Sequence, residues 1–425
     1  MPLSIQTLIR PDRWPAFARG MLAYGSAEAA TRVARLGAIL IVARQTSPEM
    51  LGTAALALSL FEIVRVLTNV GIGQRIITAT EDELASICNA AARLFWAVCI
   101  AVMLIQLVIA AITAGVFGLT EAGAMLGALS LVYLFMPAGL VQIFLAMRAQ
   151  KMGATAQVAA AQNIADCALT VGLILIWPSA WAIVLPKMLT APIWMVMARR
   201  TYDWSPDRSV TPAPVSEFAS FGPAILGSEL LAAARLHADK LLVGALLGTE
   251  ALGLYYFAFN AGLGITQSLV AAANLVLFPH LAKAEGDEFD KEFKRAFMMG
   301  FGVVLPVVAA QVLLAPFYVP IVFGDNWVEA TPYLSLLAIA AIPLFAAALL
   351  GARYRAKGKP LAETGLMAIA TMAAFAGLVT GSQFGLAGAC FGFAAGLSIV
   401  LLPATVVQLI SSATAPQCRP ARKVV

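Results

Sequence analysis

The chain has 425 residues, of which 61% are hydrophobic and 12% are charged, and its mean hydropathy is +0.86. A water-soluble globular protein cannot bury so much apolar surface, so the composition excludes that class and predicts a polytopic membrane protein. The formal net charge is +5 at pH 7. This excess does not call for a nucleic-acid partner, because basic residues in short loops are typical of membrane proteins.

Apolar segments long enough to cross a bilayer follow one another along the chain. A transmembrane helix needs ~20 predominantly apolar residues. The candidate spans are 18–44, 49–77, 88–115, 122–147, 154–176, 180–198, 219–246, 250–280, 296–322, 329–351, 362–382 and 385–411. Pro11 and Pro15 interrupt the first 20 residues, which we therefore expect not to be a cleaved signal peptide. The pattern predicts an all-α fold with about 12 transmembrane helices.

Lysine and arginine are concentrated in every second connection between these spans. The basic connections contain Arg75 and Arg93; Arg148 and Lys151; Arg199, Arg200 and Arg208; Lys283, Lys291, Lys294 and Arg295; and Arg353, Arg355, Lys357 and Lys359. Both terminal tails are basic as well. Because basic loops remain on the cytoplasmic side, we expect both termini to be cytoplasmic.

The two halves of the chain resemble each other. Gly25-Ser26 begins a span that ends at Glu49–Gly52, and Gly227-Ser228 begins one that ends at Glu250–Gly253, with offsets of 202 and 201 residues. A polar, proline-containing stretch lies between the halves. We predict an N-terminal six-helix lobe (1–200), a cytoplasmic linker (201–217) and a C-terminal six-helix lobe (218–425) around a central cavity, as in transporters built from parallel repeats.

Ionisable residues interrupt several spans at helical spacing. Glu28, Arg32 and Arg35 share one face of the first span, and Glu62 and Arg65 share a face of the second. The seventh span contains Glu229, Arg235, Asp239 and Lys240. A charge at the bilayer centre costs ~2.5–3.5 kcal/mol, so these faces should line the bundle interior or water. The pairs Glu28–Arg32, Glu62–Arg65 and Arg235–Asp239 either hold helices together or line a substrate route.

Arg35 lacks an acidic partner on its own helical face, which makes it a candidate contact for an anionic substrate. Asp166, which follows Gln162 and Asn163, is either a proton or cation site or a hydrogen-bonded buried carboxyl. Lys187 follows Pro186, which removes a backbone hydrogen bond, and we expect the lysine to face a cavity.

Arg44 and Lys240 lie near predicted span ends and are expected to snorkel towards the interface. The sequence contains five scattered cysteines and two histidines, with no spacing typical of a metal site, so we expect no metal and no cofactor. It contains no phosphate-binding loop and no GxSxG motif. The short external loops argue against a sugar polymerase or ligase and favour a transporter over an enzyme.

Four segments resemble the polysaccharide transporter (Wzx-like flippase) family in their order along the chain. They are ARQTSPEMLGTAALALSLFEIVRVLTNVGIGQRII (43–77), ADKLLVGALLGTEALGLYYFAFN (238–260), NLVLFPHLAKAEGD (274–287) and VFGDNWVEATPYLSLLA (322–338). The resemblance extends over about residues 20–350. Its specificity lies in the ordered series, because no single motif is diagnostic.

This resemblance implies membership of the multidrug/oligosaccharidyl-lipid/polysaccharide exporter superfamily. It implies alternating access and movement of undecaprenyl-diphosphate-linked oligosaccharide from the inner to the outer leaflet of the bacterial inner membrane. The basic residues that match the family's cavity-lining helices are Arg32, Arg35, Arg65 and Arg235, and the position of Lys187 adds a fifth candidate. The candidates for coupling to a proton or sodium gradient are Glu28, Glu62, Asp166 and Glu229.

Many family members have fourteen spans, so a chain of twelve is expected to lack the lateral groove built by two extra helices. The partners implied are membrane lipid, lipid-linked oligosaccharide, and the polysaccharide polymerase and export machinery, around a monomeric transporter. The alternative is a cation-coupled multidrug antiporter of the same superfamily. An antiporter for organic cations should have a mainly acidic and aromatic cavity, whereas the ionisable faces here are at least as basic as they are acidic.

Overall fold

The computed structural model describes residues 34–35, 37–207, 209–219, 222–264, 266, 270, 277, 281 and 287–414. Within these residues the chain is almost entirely helical and contains no strand, which confirms the all-α fold predicted from the apolar segments. The chain divides into two compact units, Met1–Ala238 (unit 1) and Asp239–Val425 (unit 2). Each unit is described by itself.

Unit 1 is a set of helices joined by short connections. Its helices after the helical residues 37–45 are α1 (Pro48–Arg65), α2 (Ile72–Thr78), α3 (Glu81–Gly115), α4 (Thr120–Leu129), α5 (Val132–Phe135), α6 (Pro137–Arg148), α7 (Met152–Ile176), α8 (Ala180–Leu189), α9 (Ala191–Thr201) and α10 (Ser216–Ala219). Helix α11 (Gly222–Ala258) begins in unit 1 and continues into unit 2.

Helix α1 begins where local sequence chemistry favours a helix start. Ser47 is its N-cap and accepts a hydrogen bond from the Met50 amide at 3.3 Å, while Pro48 occupies the first turn. The predicted span 49–77 does not continue as one helix. A short 3₁₀ turn, Val66–Thr68, follows α1, and Gly71 adopts φ +78°, a conformation that glycine tolerates best. Helix α2 is therefore a separate element.

The predicted span 122–147 is bent by 56° between Thr120–Phe135 and Pro137–Arg148. Pro137 lies at the start of α6 and cannot donate a backbone hydrogen bond, which accounts for the bend. Polar side chains connect this region to α3. Gln106 donates to the carbonyl of Leu126 at 2.8 Å and accepts from the Tyr133 hydroxyl at 2.8 Å. Such interhelical hydrogen bonds help to hold membrane helices together.

The stretch predicted as a linker is fastened to unit 1. The Asn89 side-chain amide donates to the carbonyls of Asp207 and Val210 at 2.7 and 3.1 Å. Arg75 of α2 forms an ion pair with Glu217 at 2.8 Å. Ser209 donates from its hydroxyl and its backbone amide to Asp207, which lowers the pKa of that carboxyl below its usual value. The predicted domain limits, 1–200, 201–217 and 218–425, stay a prediction.

Among the described residues, unit 2 contains the end of α11 and five further α-helices. They are α12 (Asp287–Phe323), α13 (Thr331–Ile339), α14 (Ala341–Ala356), α15 (Pro360–Gly381) and α16 (Gly385–Thr414). Helix α11 is interrupted at Gly248, where φ is 89° and ψ is 177°. Gly248 lies 201 residues after Ser47, which precedes α1. The interruptions therefore fall at matching positions of the proposed repeat.

Helices α15 and α16 form a tightly packed antiparallel hairpin. Glycines of the two helices lie in close contact. A side chain at Gly377 would collide with the Gly392 carbonyl, and one at Gly381 would collide with the Gly388 carbonyl. Small residues at such positions allow membrane helices to pack closely.

Within the described residues, eight helical segments are long and apolar enough to cross a membrane, or nine if the bent pair is counted as one span. The interruption at Gly248 and the turn at Gly385 each divide one of these segments. The first predicted span, 18–44, lies mostly outside the described residues. A total of twelve therefore stays a prediction.

Candidate functional site

Unit 1 contains a cavity of about 410 Å³ that is lined by both polar and apolar side chains. Its charged lining residues are Arg35, Glu62, Arg65, Asp166 and Lys187, and its uncharged polar residues include Asn69, Gln162, Asn163 and Thr190. These side chains come from the helix that precedes α1 and from α1, α7 and α8, together with Asn69, which follows α1. Five charges in one small cavity are unusual in membrane-spanning helices and make it a candidate functional site.

Glu62 and Arg65 form the pair that their spacing on α1 predicts. The Arg65 Nε and Nη2 atoms donate to Glu62 Oε2 at 2.9 and 2.6 Å. This confirms the intrahelical ion pair. Both residues also line the cavity, so the same pair is available to a ligand. The Arg65 side chain is 45% exposed, which leaves part of its guanidinium accessible.

Lys187 lies between two carboxylates from different helices. Its Nζ atom is 3.9 Å from Glu62 Oε1 on α1 and 3.9 Å from Asp166 Oδ2 on α7. Both distances exceed the length of a hydrogen bond, so the ammonium is attracted to both groups without donating to either. Pro186 is inside α8, as the sequence predicts, and Lys187 lines the cavity next to it.

Asp166 is only partly satisfied. Its Oδ1 atom is buried and has no hydrogen-bond partner in the described part of the chain. Its other oxygen faces Lys187. Arg35 lines the same cavity, and no ion pair to it is found among the described residues. Because an unsatisfied buried polar atom is costly, a bound ion or ligand would stabilise Asp166. Arg35 is exposed, so its donors are accessible to an anion in the cavity.

This described lining contains three cationic and two anionic side chains. Guanidinium and ammonium groups in a partly dehydrated cavity attract an anion more strongly than they do in bulk water. Arginine offers a planar fork of donors that suits phosphate, and lysine adds a compact point charge. The arrangement can therefore bind a phosphate-bearing ligand while Glu62 and Asp166 keep the empty site close to neutral.

The other predicted site residues are placed differently. Glu28 and Arg32 lie outside the described residues. Glu229 and Arg235 lie on α11 and are not among the residues that line this cavity. Arg235 is exposed, whereas Asp239, four residues later, binds Lys240 and Tyr255. Roles for Arg235 and Glu229 in substrate binding or coupling stay predictions.

The expectation that Lys240 snorkels is wrong. The Lys240 side chain is 5% exposed, and its Nζ atom is 3.0 Å from Asp239 Oδ1. The ammonium also lies 3.8 Å from the centroid of the Phe259 ring, and the Tyr255 hydroxyl donates to Asp239 Oδ2 at 3.0 Å. Tertiary packing encloses this lysine, which a position near a predicted span end cannot reveal.

The neutral side chains of the cavity were not among the residues predicted from the sequence. Gln162 and Asn163 precede Asp166 by four and three residues, so all three share one face of α7. Trp194 of α9 lines the same cavity. The helical spacing from Asp166 was the only available sign for the two amides, and nothing in the sequence near Trp194 indicated its position.

Comparison with known proteins agrees with this architecture. The model of a family described as polysaccharide biosynthesis protein matches residues 41–332. The teichuronic acid biosynthesis protein TuaB of Bacillus subtilis (strain 168) is 28% identical over 195 residues, which cover 44% of this chain and 40% of TuaB. The succinoglycan biosynthesis transport protein ExoT of Rhizobium meliloti (strain 1021) is 23% identical over 306 residues, 70% of this chain and 61% of ExoT. The chain thus spans less than two thirds of these relatives.

The fold is similar to that of the lipid II flippase MurJ in an inward closed conformation. The TM-score is 0.74 at 10% sequence identity, and the match covers 92% of this chain and 87% of MurJ. ExoT is described as a transport protein, which agrees with the expectation of a membrane transporter. The match to the family model extends over more than half of the sequence, and the chain therefore belongs to the polysaccharide biosynthesis protein family.

Proposed function

We propose that the protein moves undecaprenyl-diphosphate-linked oligosaccharide from the inner to the outer leaflet of the bacterial inner membrane by alternating access. The observation that carries the proposal is the cavity in unit 1, where Arg35, Arg65 and Lys187 face the same space as two carboxylates. The names of TuaB and ExoT, which concern bacterial surface and extracellular polysaccharides, support this substrate class.

The charge arrangement suits a ligand that is anionic at one end. A diphosphate would compete with Glu62 for Arg65 and with Glu62 and Asp166 for Lys187. The 3.9 Å separations make the lysine contacts easy to replace, because no hydrogen bond from Nζ to Glu62 or Asp166 is broken. The lipid tail can remain in the bilayer while the head group occupies the cavity. Release on the opposite side would restore the internal ion pairs.

Asp166 is the strongest of the proposed coupling residues. Its buried Oδ1 atom lacks a partner in the described residues, so a proton or a small cation would satisfy it. Neutralising Asp166 would remove one of the two carboxylates near Lys187 and leave its ammonium more available to phosphate. The same carboxylates are what a cation-coupled multidrug antiporter would use, and the experiment below separates the two functions.

The test uses inverted membrane vesicles from cells that contain or lack the gene. A membrane-impermeant lectin reports the lipid-linked sugar of the cytoplasmic leaflet, which faces outward in these vesicles. We expect that sugar to accumulate only when the gene is absent. An Arg35→Ala variant should behave like the deletion although it inserts normally. Arg93→Ala, on an exposed position of α3 away from the cavity, is the matched control and should behave like the wild type.

An unchanged leaflet distribution in the deletion would reject flipping. In that case the same vesicles would be tested with a cationic dye, and dye accumulation that depends on the gene would establish the antiporter. Normal sugar movement by Arg35→Ala would instead assign Arg35 to a structural role and leave flipping intact.

A further inference from the structure

The cavity in unit 1 is lined by neutral polar and aromatic groups beside its charged ones. Glu62, Arg65 and Lys187 lie on α1 and α8, and Asp166 lies on α7. Gln162 and Asn163 lie one turn from Asp166 on α7, and Trp194 lies on α9. We refer to Gln162, Asn163 and Trp194 as the amide–indole wall. An ionised diphosphate offers only acceptors, so it cannot satisfy the carbonyl oxygens of the two carboxamides or cover the apolar face of the indole.

The two amides are unpaired in the described part of the chain, where neither side chain makes a hydrogen bond. A carboxamide carries two donors and an acceptor with two lone pairs. Leaving such groups unpaired in a membrane-spanning helix is costly unless water or a ligand occupies the cavity. A ligand rich in hydroxyl groups satisfies both kinds of atom at once, because each hydroxyl both donates and accepts.

The indole of Trp194 is held in place by close packing. A methyl group at Gly139 on α6 would lie 3.2 Å from the Cζ3 atom of Trp194 and 2.7 Å from the Cβ atom of Ala198. The absence of a side chain at Gly139 therefore lets α6 and α9 approach closely. The Trp194 ring also packs against the cluster of Ile143, Val158 and Ala198, which restrains it beside the cavity. A fixed aromatic ring offers a flat apolar surface at low entropic cost, together with one N–H donor.

We infer that the amide–indole wall recognises the sugar that is bonded directly to the diphosphate. Amides that pair with hydroxyl groups and an aromatic ring that packs against C–H bonds are together suited to a sugar ring. The inference rests on the proposed function and assigns different parts of the ligand to different residues of the cavity. The cations bind the diphosphate common to all such lipids, and the wall distinguishes one first sugar from another.

Position favours the first sugar over the distal ones. Gln162 and Asn163 are one helical turn from Asp166, whose carboxylate faces Lys187. A sugar that contacts the amides is therefore adjacent to the phosphate that Lys187 attracts. A cavity of about 410 Å³ falls in the range of ordinary small-molecule sites and is too small for a long oligosaccharide.

The test measures binding of four lipids to the purified full-length protein in nanodiscs, by displacement of a radiolabelled lipid. The lipids are undecaprenyl diphosphate alone and the same lipid bearing glucose, galactose or N-acetylglucosamine. We expect the wild type to prefer one sugar-bearing lipid over the sugarless lipid by about tenfold, the effect of one or two good hydrogen bonds. Asn163→Leu and Gln162→Leu should abolish this preference and weaken binding of the preferred sugar-bearing lipid by about tenfold more than binding of the sugarless lipid.

Two further variants control for folding and for charge. Gln157→Leu changes the same residue type on an exposed position of α7 and should keep the wild-type preference. Lys187→Met should weaken binding of all four lipids by a similar factor. Trp194→Phe, which keeps an aromatic ring, should retain more of the preference than Trp194→Leu.

The outcomes separate this inference from the proposed function. Wild-type protein that binds none of the four lipids would overturn both. Wild-type protein that binds all four equally, or amide variants that keep the preference, would overturn only the amide–indole wall. Amide variants that weaken all four lipids alike would also overturn it, since that result indicates a general structural role.

Discussion

Unit 1 and unit 2 both place a lysine beside a carboxylate in a membrane-spanning helix, and the two pairs differ in how completely they are satisfied. In unit 1, Lys187 lies 3.9 Å from Glu62 and from Asp166, and its side chain is 32% exposed. In unit 2, Lys240 lies 3.0 Å from Asp239, and the two side chains are 5% and 1% exposed.

The difference distinguishes a candidate ligand site from a structural contact. The buried pair of unit 2 is completed by the Tyr255 hydroxyl and the Phe259 ring, so a ligand would have to displace well-made interactions. In the cavity of unit 1, Lys187 makes no hydrogen bond to Glu62 or Asp166, and Asp166 Oδ1 has no partner among the described residues. An ionisable residue in a transmembrane helix is a functional hypothesis by default. The degree of hydrogen-bond saturation indicates which hypothesis deserves a test.

The largest effect is expected for the buried Lys240–Asp239 pair of unit 2. Lys240→Met removes the ammonium from a carboxylate that is 1% exposed, and breaking a buried ion pair in this way costs roughly 3–5 kcal/mol. We expect a marked fall in the apparent melting temperature and in the folded yield of the purified protein in detergent. The double variant Lys240→Met with Asp239→Asn should recover most of the loss, because no charge remains buried. A single variant as stable as the wild type would contradict this view of unit 2.

A smaller effect tests the packing of unit 2. Gly377→Ala places a methyl group against the Gly392 carbonyl in the α15–α16 hairpin, and overpacking of this kind costs roughly 1–3 kcal/mol. The matched control is Gly365→Ala on the same helix, where a methyl group meets no other atom within 4 Å. That control should be neutral or slightly stabilising, since alanine favours a helix. Equal melting temperatures for both variants would argue against close glycine packing.

The smallest change in stability is expected for Lys187 in the cavity of unit 1. Lys187→Met removes contacts of 3.9 Å from a partly exposed ammonium, so we expect a loss of less than about 1 kcal/mol. Movement of the lipid-linked sugar in inverted vesicles should nevertheless fall by about tenfold or more, because a phosphate contact is lost. Measuring the melting temperature and transport on the same preparation checks both the small loss of stability and the large loss of transport. A variant that loses stability and transport in parallel would place Lys187 with Lys240 as a structural lysine.

Local chemistry made several parts of the molecule predictable. Composition and segment length predicted an all-α polytopic protein, and the ordered segments predicted its family; both predictions are confirmed. Helical spacing predicted the Glu62–Arg65 pair, which lies within one turn of a single helix. Pro186 interrupts the backbone hydrogen bonding of α8, and the sequence therefore predicted that the neighbouring Lys187 faces a cavity. Lys187 does line the cavity of unit 1.

Features that depend on neighbouring helices were not predictable. The span 49–77 is broken near Gly71, although its apolar pattern continues through the break. Lys240 is enclosed by Tyr255 and Phe259, which lie beyond the interruption of α11 at Gly248. Hydropathy reports how many residues can lie in a bilayer, and it does not report which faces meet.

The sequence by itself determined that the chain forms apolar helices, that some of them carry charges on one face, and that those charges must avoid lipid. These properties follow from hydropathy and the helical period, which act along one segment at a time. Only the tertiary structure decided which charges share a cavity. Lys187, Glu62 and Asp166 come from three helices. Their meeting depends on how those helices pack, a choice made by side chains far apart in the chain.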